Sequence, residues 1–451
     1  VYDINLDFLD GFTVPEGFWG INGARAFREN LKIDNKYWHE YVLPFVKKSN
    51  GGFDLLRNGG TVTFASRFDF SYTGNGYAKS VGSYPAIFSP QRIAGMASLP
   101  DLEEFVSQDE LQEDANAAVN YHVTLKEALI AQDLKLLYVA NPYQDASELR
   151  SVIEFFGASR IKAIVAGNEL NSPKARRFGI TPADLVYWSA LLKPVCEEFG
   201  LQLGAGLPPY EYQDELNKGN TLGGKLAWDK AFAEHIRDNI EIFDFVCMHP
   251  YGQVPERTPD INFTQWVEGF EMPDDYSFLK EQTEHFYALC GKPIYYDEHG
   301  LEKPEYGHIN SKFGILWHFE RAMAILRLAQ EYPIMGSCFQ VLISNTTDGL
   351  PTSFVYDDDG ELGISEDIMA ASEIAKYPLH FSFIANPWFP AVGVETFAGV
   401  RSVAYINDSD ESLTYDGPVS SDTFLPKSSR APLIDQTSDG VVLPKTLGFL
   451  N

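Results

Sequence analysis

Cysteines are scarce in this sequence and widely spaced. The 451 residues include only Cys196, Cys247, Cys290 and Cys338. No pair has the CxxC spacing or the Cys/His spacing of a metal site. Cys247 and Cys338 fall inside predicted strands, where a free cysteine behaves as a small buried hydrophobic residue. We therefore expect structural thiols rather than disulfides or metal ligands.

Basic residues are also few relative to acidic ones. Lys and Arg number 35 against 63 Asp and Glu, which gives a formal net charge of −28. This acidity argues against nucleic acid and anionic membranes as partners, because both are polyanions. It leaves an anionic sugar open as a substrate, because sugar binding depends on the local field at the cleft.

Long apolar runs are missing too. No stretch approaches the roughly 20 residues of a membrane span, and Val1 opens no charged-then-apolar signal peptide. These absences predict a mature protein, secreted or periplasmic in a bacterium, whose signal peptide has been removed. No GxGxxG motif follows any predicted strand, so a dinucleotide-binding fold has no support and no cofactor is expected.

What the sequence does contain is an alternation of short apolar runs with segments of helical period, the pattern of βαβ units. Within it, Thr181-Pro182 predicts a helix start, and that helix ends at Gly200. Eight apolar runs are predicted strands: 18–22, 53–58, 134–141, 161–168, 201–207, 242–249, 293–298 and 337–344. Eight repeats favour a closed (β/α)8 TIM barrel, of the α/β class, over an open sheet.

Two regions depart from this alternation. Residues 61–114 form a long insertion after the second strand, and residues 351–451 contain short strands between turns. The second region predicts a small β-sandwich to which residues 1–14 add a strand, so the barrel spans 15–350. Aromatic side chains of the insertion are expected either to border the cleft as sugar subsites or to form a small core under the loop. These are Phe64, Phe68, Phe70, Tyr72, Tyr77 and Tyr84.

Two of the apolar strands stop abruptly at carboxylates. IVAGNEL carries Asn168 and Glu169, and PIYYDEHG carries Glu298. Because the carboxyl ends of barrel strands meet at one rim, the two glutamates are expected to face each other. Glycoside hydrolysis requires such a pair, in which one carboxyl protonates the leaving oxygen and the other attacks the sugar carbon or activates water. A surface glutamate at a strand end is the plainer interpretation of either segment alone.

Polar residues at other strand ends are candidate partners of this pair. Arg57 is predicted to donate charge-assisted hydrogen bonds to Glu298, the alternative being an anchor for its loop. Asn168 is predicted to bond a sugar 2-hydroxyl, or to cap its own strand end. Tyr251 is predicted to orient Glu298, and His249 to bond the other glutamate or a hydroxyl. Candidate sugar contacts by position alone are Asn22, Asn141 and Trp19.

The order of these motifs resembles that of glycoside hydrolase clan A, the retaining (β/α)8 glycosidases. Asn168-Glu169 and Glu298 match the ends of strands four and seven, where the clan has its acid/base and its nucleophile. FWGINGA, LLRNGGT and MHPYG are similar to the arabinofuranosidase, xylosidase and heparanase-like glucuronidase branches, in which a sandwich from both chain ends packs on the barrel. The resemblance implies double displacement on a β-linked poly- or oligosaccharide, with an α-L-arabinofuranosidase of the same clan as the alternative.

The sequence departs from these branches at three places. Arg57-Asn58-Gly59-Gly60 replaces the usual Arg-x-Pro-Gly-Gly, and Glu298-His299 replaces Glu-Trp. The strand-eight segment CFQVLIS lacks the Trp of many clan members. These departures bear on which sugar is bound and leave the reaction type as the resemblance implies it.

A cluster of basic residues follows the acid/base candidate. In NSPKARRFG, Lys174, Arg176 and Arg177 lie on the loop that leaves strand four. Arginine matches carboxylate and sulfate with paired donors, so the cluster suits a uronate or a sulfated sugar such as that of an algal galactan. The competing interpretation is that these cations neutralise acidic helices nearby.

Two hypotheses of other classes remain. A metal-dependent amidohydrolase barrel would use His249, Asp297 and His299, but it needs a His-x-His cluster at the first strand, which residues 18–22 lack. A barrel that binds carbohydrate without cutting it is the other, and the presence of both carboxylates argues against it. A carbohydrate is therefore the expected partner, and no metal is expected. The sequence gives no oligomeric state.

Overall fold

The computed structural model describes a large part of the chain, and the helices and strands below are numbered within that part. It covers residues 12–23, 52–58, 66–69, 77–80, 121–140, 145–171, 180–208, 225–252, 275–301, 312–340, 343–344, 354–356, 362–364, 366–375, 379–381, 391–395, 401–407, 413–414, 441–442 and 446–450.

Eight parallel strands close into a barrel. They are β2 (Trp19–Asn22), β3 (Leu55–Asn58), β6 (Lys135–Ala140), β7 (Ile161–Ala166), β8 (Leu203–Gly206), β9 (Phe245–Cys247), β10 (Ile294–His299) and β11 (Ile334–Phe339). Each pairs with the next along the chain, and β11 pairs with β2 to close the ring. The predicted (β/α)8 barrel is confirmed.

The eighth barrel strand differs from its prediction at both ends. It begins at Ile334 rather than at residue 337, and it ends at Phe339. The predicted end of that run, Ile343–Ser344, is a separate strand, β12, which pairs with β13 (Phe354–Tyr356) outside the barrel. The apolar run therefore serves two sheets, a division that hydrophobicity alone does not mark.

Six described α-helices lie between barrel strands, and a seventh follows the last barrel strand. They are α1 (Tyr121–Gln132), α2 (Ala146–Phe156), α3 (Pro182–Glu198), α4 (Lys225–Asp238), α5 (Asp275–Cys290), α6 (Lys312–Glu331) and, after the barrel, α7 (Glu366–Ala375). Helix α3 starts as predicted, because the Thr181 side chain accepts from the backbone N–H of Asp184 while the Asp184 carboxylate accepts from that of Thr181. None of the described helices is long and apolar enough to cross a membrane.

Two apolar layers hold the barrel together. Alternate side chains of the strands fill its interior, and these are Leu55, Leu137, Val139, Ala163, Val165, Phe245, Cys247, Tyr295 and Cys338. The intervening side chains pack outward against the helices in a larger core, which includes Ile21, Leu56 and Val246. All four cysteines are buried and free, as expected.

Strands from both chain ends meet in one antiparallel sheet. Its order is β1 (Phe12–Thr13), β15 (Leu379–Phe381), β16 (Ala391–Glu395), β17 (Arg401–Asn407) and β20 (Thr446–Leu450). Helix α6 lies against β16, β17 and β20. The second layer of the predicted sandwich and the domain boundaries stay predictions.

Three small sheets complete the described strands. Strand β14 (Leu362–Ile364) extends the β12–β13 pair, and β18 (Leu413–Thr414) pairs with β19 (Val441–Val442). Within the insertion, β4 (Ser66–Asp69) and β5 (Tyr77–Ser80) form an antiparallel pair.

Candidate active site

Strand alternation brings polar side chains to the carboxyl-terminal mouth of the barrel. On β3, Leu55 fills the interior and Arg57 follows it two residues later on the same face. After β9, Cys247 fills the interior and His249 follows it in the same way. Asn22 is the register partner of Arg57 on the neighbouring strand. The interior is therefore apolar below and polar at the mouth.

A β-bulge changes this alternation on strand seven. Between the pairs Tyr296–Ser337 and His299–Phe339, β10 has one residue more than β11. Consequently Asp297 and Glu298, although consecutive, both reach the guanidinium of Arg57. The bulge also turns His299 outward, where its Nε2 lies 2.6 Å from Ser337 Oγ and its ring packs on Phe339.

Glu298 is held by three donors from three different strand ends. Its Oε2 accepts from Arg57 Nη1 at 2.7 Å and from Asn22 Nδ2 at 3.1 Å. Its Oε1 accepts from the Tyr251 hydroxyl at 2.5 Å. The contacts predicted for Arg57 and Tyr251 are present, and the carboxylate is nearly buried, with 6% of the residue exposed.

Asp297 forms a second ion pair with the same arginine. Arg57 Nε and Nη2 lie 2.8 and 2.7 Å from Asp297 Oδ2, and both side chains are buried. Asp297 Oδ1 lies 3.2 Å from His249 Nε2, an ion-pair contact whose angle falls short of a hydrogen bond. Burial raises the pKa of Asp297, but attraction to Arg57 and then to His249 outweighs it and lowers that pKa to about 2.

Glu169 sits in a tight turn after strand four. Its φ is +44°, which side chains other than glycine seldom adopt, and it follows Gly167 at φ +80°. The Leu170 side chain covers Gly167 so closely that a Cβ there would lie 2.6 Å from it. Beyond the turn, Asn171 Nδ2 donates to the buried Asp229 of α4 at 3.0 Å. Packing on both sides thus fixes a strained turn.

The Asn168 side chain points to the arginine rather than to its own strand end. Its Oδ1 accepts from Arg57 Nη2 at 2.7 Å, and both side chains are buried. This bond leaves the Asn168 amide NH2 group as the part of the side chain that can donate to a sugar hydroxyl.

His249 joins Glu169 to the rest of the site. His249 Nδ1 lies 2.8 Å from Glu169 Oε1. Burial lowers the pKa of His249, but the negative charges of Asp297 and Glu298, together with the contact to Glu169, outweigh it and raise that pKa to about 10. The pKa of Glu169 is raised by burial and lowered more strongly by His249, so its net direction is downward. Both shifts favour a charged pair, with a carboxylate on Glu169 and an imidazolium on His249.

The two glutamates are close together. One atom from each of Glu169, His249 and Glu298 lies within 4.8 Å of the other two. Among the described residues, this trio has the spacing of a set of metal ligands. The amidohydrolase hypothesis requires His249, Asp297 and His299 instead, and these three do not have that spacing among the described residues. Arg57 already supplies the positive charge that balances Glu298, at 2.7 Å. The charge pattern suits paired carboxylates better than a bound cation.

The structure gathers most of the predicted site residues at one mouth. Those brought together are Asn22, Arg57, Asn168, Glu169, His249, Tyr251 and Glu298. Asn141, Arg176 and Arg177 lie outside the described residues, as do the side chains of the insertion's aromatics. The predicted sugar contact of Trp19 is wrong, because its side chain is buried in the outer core against Phe339.

Three residues of this region were not predicted in these positions. The sequence predicts Asp297 only as a metal ligand, although an acid inside an apolar strand run is a signal of a buried partner. Arg321 of α6 is buried and donates from Nη1 to the carbonyl of Pro250 at 2.6 Å, anchoring the segment between His249 and Tyr251. Gln340 follows β11 on the face of Cys338 and is 8% exposed. Its Oε1 is buried and has no hydrogen-bond partner among the described residues.

The chain was compared with known proteins. No protein-family model matches it. No curated protein matches it either. Its structure is similar to that of AbfB, a family 51 α-L-arabinofuranosidase from Bifidobacterium longum, with a TM-score of 0.61, 12% identity and coverage of 99% of this chain and 97% of that one.

Two further solved structures have the same fold. The endo-β1,6-glucanase BT3312 has a TM-score of 0.52 and 11% identity, over 91% of this chain and 88% of that one. BuGH86wt, solved in complex with neoagarooctaose, has a TM-score of 0.50 and 11% identity, over 91% and 69%. At such identities the likeness establishes the fold.

Proposed function

We propose that this protein is a retaining glycoside hydrolase that acts on a β-linked poly- or oligosaccharide by double displacement. The observation that carries the proposal is the pair Glu169 and Glu298, because a carboxylate oxygen of one lies within 4.8 Å of a carboxylate oxygen of the other. Retaining enzymes hold their carboxyl groups about 5–5.5 Å apart, and inverting enzymes about 6.5–9.5 Å. AbfB and BT3312 are an α-L-arabinofuranosidase and an endo-β1,6-glucanase, both glycosidases, which supports the same reaction class.

The environments of the two carboxylates suit different roles. Glu298 accepts from Arg57, Asn22 and Tyr251, an arrangement that stabilises the carboxylate needed for attack. Glu169 has 44% of its side chain exposed, which gives it access to a leaving group and to water. We therefore assign Glu298 as the nucleophile and Glu169 as the acid/base.

In the first step, Glu298 attacks the anomeric carbon and the bond to the leaving oxygen breaks, while protonated Glu169 gives that oxygen its proton. A glycosyl ester on Glu298 and a Glu169 carboxylate result. In the second step, Glu169 takes a proton from water, the water oxygen attacks the anomeric carbon, and Glu298 leaves as a carboxylate. Two inversions give net retention.

The reaction requires Glu169 to carry a proton in the first step, and His249 opposes this in the unliganded site. Because His249 lowers the pKa of Glu169, the protonated acid is most populated on the acidic side of neutrality. An acidic pH optimum for kcat/KM follows from this assignment.

A panel of aryl glycosides and polysaccharides tests the proposal. We expect turnover of at least one aryl glycoside, with a first-formed sugar that keeps the anomeric configuration of the substrate in the proton NMR spectrum. An inverted first product would contradict the retaining mechanism. Binding without turnover of any member would instead favour the carbohydrate-binding barrel.

An α-L-arabinofuranosidase is a second candidate. AbfB, with that name, aligns over 99% of this chain. The departures at Asn58 and His299 from the arabinofuranosidase motifs count against it. Including 4-nitrophenyl α-L-arabinofuranoside in the panel decides between the two.

An anionic substrate, either a uronate or a sulfated sugar, is our proposal for the specificity. Its support is the sequence cluster Lys174, Arg176 and Arg177 just beyond Glu169 in a chain of net charge −28. In Arg176→Ala with Arg177→Ala, we expect KM to rise more for a charged than for a neutral substrate, and the difference to shrink with added salt. Equal effects on both substrates would assign the cluster a structural role.

Secretion, or export to the periplasm, and degradation of a polysaccharide outside the cytoplasm are also part of the proposal. The small β-sandwich belongs here as well, with the five-stranded sheet as one of its layers. That sheet combines β1 from the N-terminal region with four strands from the C-terminal region, which supports the predicted connectivity.

A further inference from the structure

Asp297 lies between Arg57 and His249, the two cationic side chains that contact Glu298 and Glu169. Its Oδ2 is 2.8 Å from Arg57 Nε, and its Oδ1 is 3.2 Å from His249 Nε2. Arg57 in turn donates to Glu298, and His249 bonds Glu169 at 2.8 Å. One buried carboxylate therefore contacts both of the cationic side chains that bond the glutamates.

We propose that Asp297 is a positioning residue that fixes both glutamates at once, Glu298 through Arg57 and Glu169 through His249. The proposal rests on the proposed function only in calling those glutamates catalytic. The Asp297 side chain is 1% exposed, so its effect is exerted through the two cations.

Burial makes this arrangement rigid. Asp297 and Arg57 have side-chain exposures of 1% and 0%, so little water is available to replace a lost contact. An Arg guanidinium has five donors in a planar fork, which here are shared among Asp297, Glu298 and Asn168. Removing one acceptor frees the fork to rotate and to misplace the others.

The bulge on β10 allows Asp297 and Glu298 to contact the same arginine. In a regular strand, neighbouring residues face opposite sides, so Asp297 and Glu298 would not share a cation. The extra residue between Tyr296 and His299 brings both carboxylates to Arg57.

The charges around His249 give the proposal a direct readout. The charged groups that act on its ring among the described residues are Asp297, Glu298, Glu169 and Arg57. His299 is buried nearby, and burial lowers its pKa. Asp297 is the largest of the groups that raise the pKa of His249. Neutralising Asp297 therefore removes the main reason for His249 to stay protonated.

The test compares Asp297→Asn with a matched buried aspartate, Asp54→Asn. Asp54 accepts from the backbone N–H of Gly17 at 3.0 Å, just before β3 at the opposite end of the barrel. Both variants remove one buried negative charge, so both are expected to lower Tm. Only Asp297→Asn is expected to change the chemistry at the mouth.

The first measurement is the titration of His249 by NMR, with His249→Gln used to assign its signals. In the wild type and in Asp54→Asn we expect the ring to stay protonated well above neutral pH. In Asp297→Asn we expect its titration to move toward the ordinary range near pH 6.5. An unchanged titration would overturn the proposal. This measurement needs no substrate, so it stands even if the proposed activity fails.

The second measurement is a leaving-group series of aryl glycosides. A residue that acts only through the acid/base slows substrates with poor leaving groups and spares activated ones. Because Asp297 also holds Arg57, we expect Asp297→Asn to lower kcat about 10²-fold for both kinds, with a smaller change in KM. An effect confined to poor leaving groups, or a profile equal to that of Asp54→Asn, would refute the double role.

Discussion

The ends of strands four and seven present the same side chain in opposite ways. Glu298, after β10, accepts three hydrogen bonds and has 9% of its side chain exposed. Glu169, after β7, contacts His249 and has 44% exposed, on a backbone with φ +44°. One carboxylate is immobilised by its neighbours, and the other is presented on a turn. A nucleophile needs a fixed attack geometry, whereas an acid/base must also exchange protons with the solvent.

The difference has a structural origin in how each strand ends. On β10 a bulge turns two consecutive acids into the barrel, toward a buried arginine. On β7 the strand ends at Ala166, and Gly167 starts a turn that lifts Glu169 from the interior. The two glutamates therefore differ in exposure and in hydrogen bonding, because one lies in an interior rich in donors and the other on an open rim.

Replacing each glutamate gives the largest expected effects and separates the two roles. Glu298→Gln is expected to lower kcat by about 10⁴-fold or more for every glycoside, because no other group can form the covalent bond. Glu169→Ala is expected to spare the first step for glycosides with good leaving groups, and added azide should restore turnover as a glycosyl azide. Steady-state kinetics on a leaving-group series measures both.

The control for these variants is Glu154→Gln, an exposed position near the end of α2, which is the helix end that lies away from the mouth. It should leave both kinetic signatures as in the wild type. If azide rescued Glu298→Gln instead of Glu169→Ala, with the product configuration unchanged, the assignment of the two glutamates would have to be reversed.

Replacing Arg57 should remove the contact that holds Glu298 more firmly than Glu169. In Arg57→Met, Asp297 and Glu298 remain buried without their cation, and we expect a loss of about 3–5 kcal/mol in the free energy of unfolding. Arg57→Lys keeps a charge but loses the planar fork, so activity should remain low while part of the stability returns. Urea denaturation with parallel kinetics separates these outcomes. Full activity in Arg57→Lys would show that the planar guanidinium is not required and that a positive charge at this position is sufficient.

Removing the tyrosine hydroxyl changes one end only. Tyr251→Phe deletes one of the three donors to Glu298 and leaves the ring in place. A hydrogen bond to a charged group contributes about 1.5–3 kcal/mol, so kcat is expected to fall by about ten- to a hundredfold. The fall should be similar for good and poor leaving groups, because Glu298 acts in both steps. A fall restricted to poor leaving groups would place Tyr251 with the acid/base instead.

Strand periodicity predicted which side chains meet at the mouth of the barrel. Arg57, His249 and Glu298 were identified because each ends an apolar run, and the barrel brings such ends to one rim. Trp19 was misassigned because its run is too short to reveal which face it occupies, and the structure buries it in the outer core.

The role of Asp297 could not be predicted for a different reason. Regular alternation predicts opposite faces for Asp297 and Glu298, and a bulge is a property of strand pairing rather than of the strand's own residues. The division of the last apolar run between β11 and β12 has the same character, because partners distant in sequence decide it. The periodicity of a strand predicts which face each side chain occupies, and the pairing with neighbouring strands can change that face.

The smallest expected effect is on stability at alkaline pH, and it tests the state of the ring beside Glu169. His249 has its pKa raised from 6.5 to about 10 by Asp297, Glu298 and Glu169, despite burial. A raised pKa means that the folded protein binds this proton more tightly than the unfolded chain does. The stabilisation is therefore complete below pH 6.5 and is lost as the pH rises toward 10.

In the wild type we expect Tm to fall across this range by a few degrees more than in His249→Gln, in which no proton is released. Other groups that titrate above pH 9 affect both proteins, so the difference between the two curves isolates the histidine. Thermal unfolding followed by circular dichroism from pH 6 to pH 10 measures it. Parallel curves would mean that His249 is neutral in the folded protein over this range, so that no imidazolium lies beside Glu169.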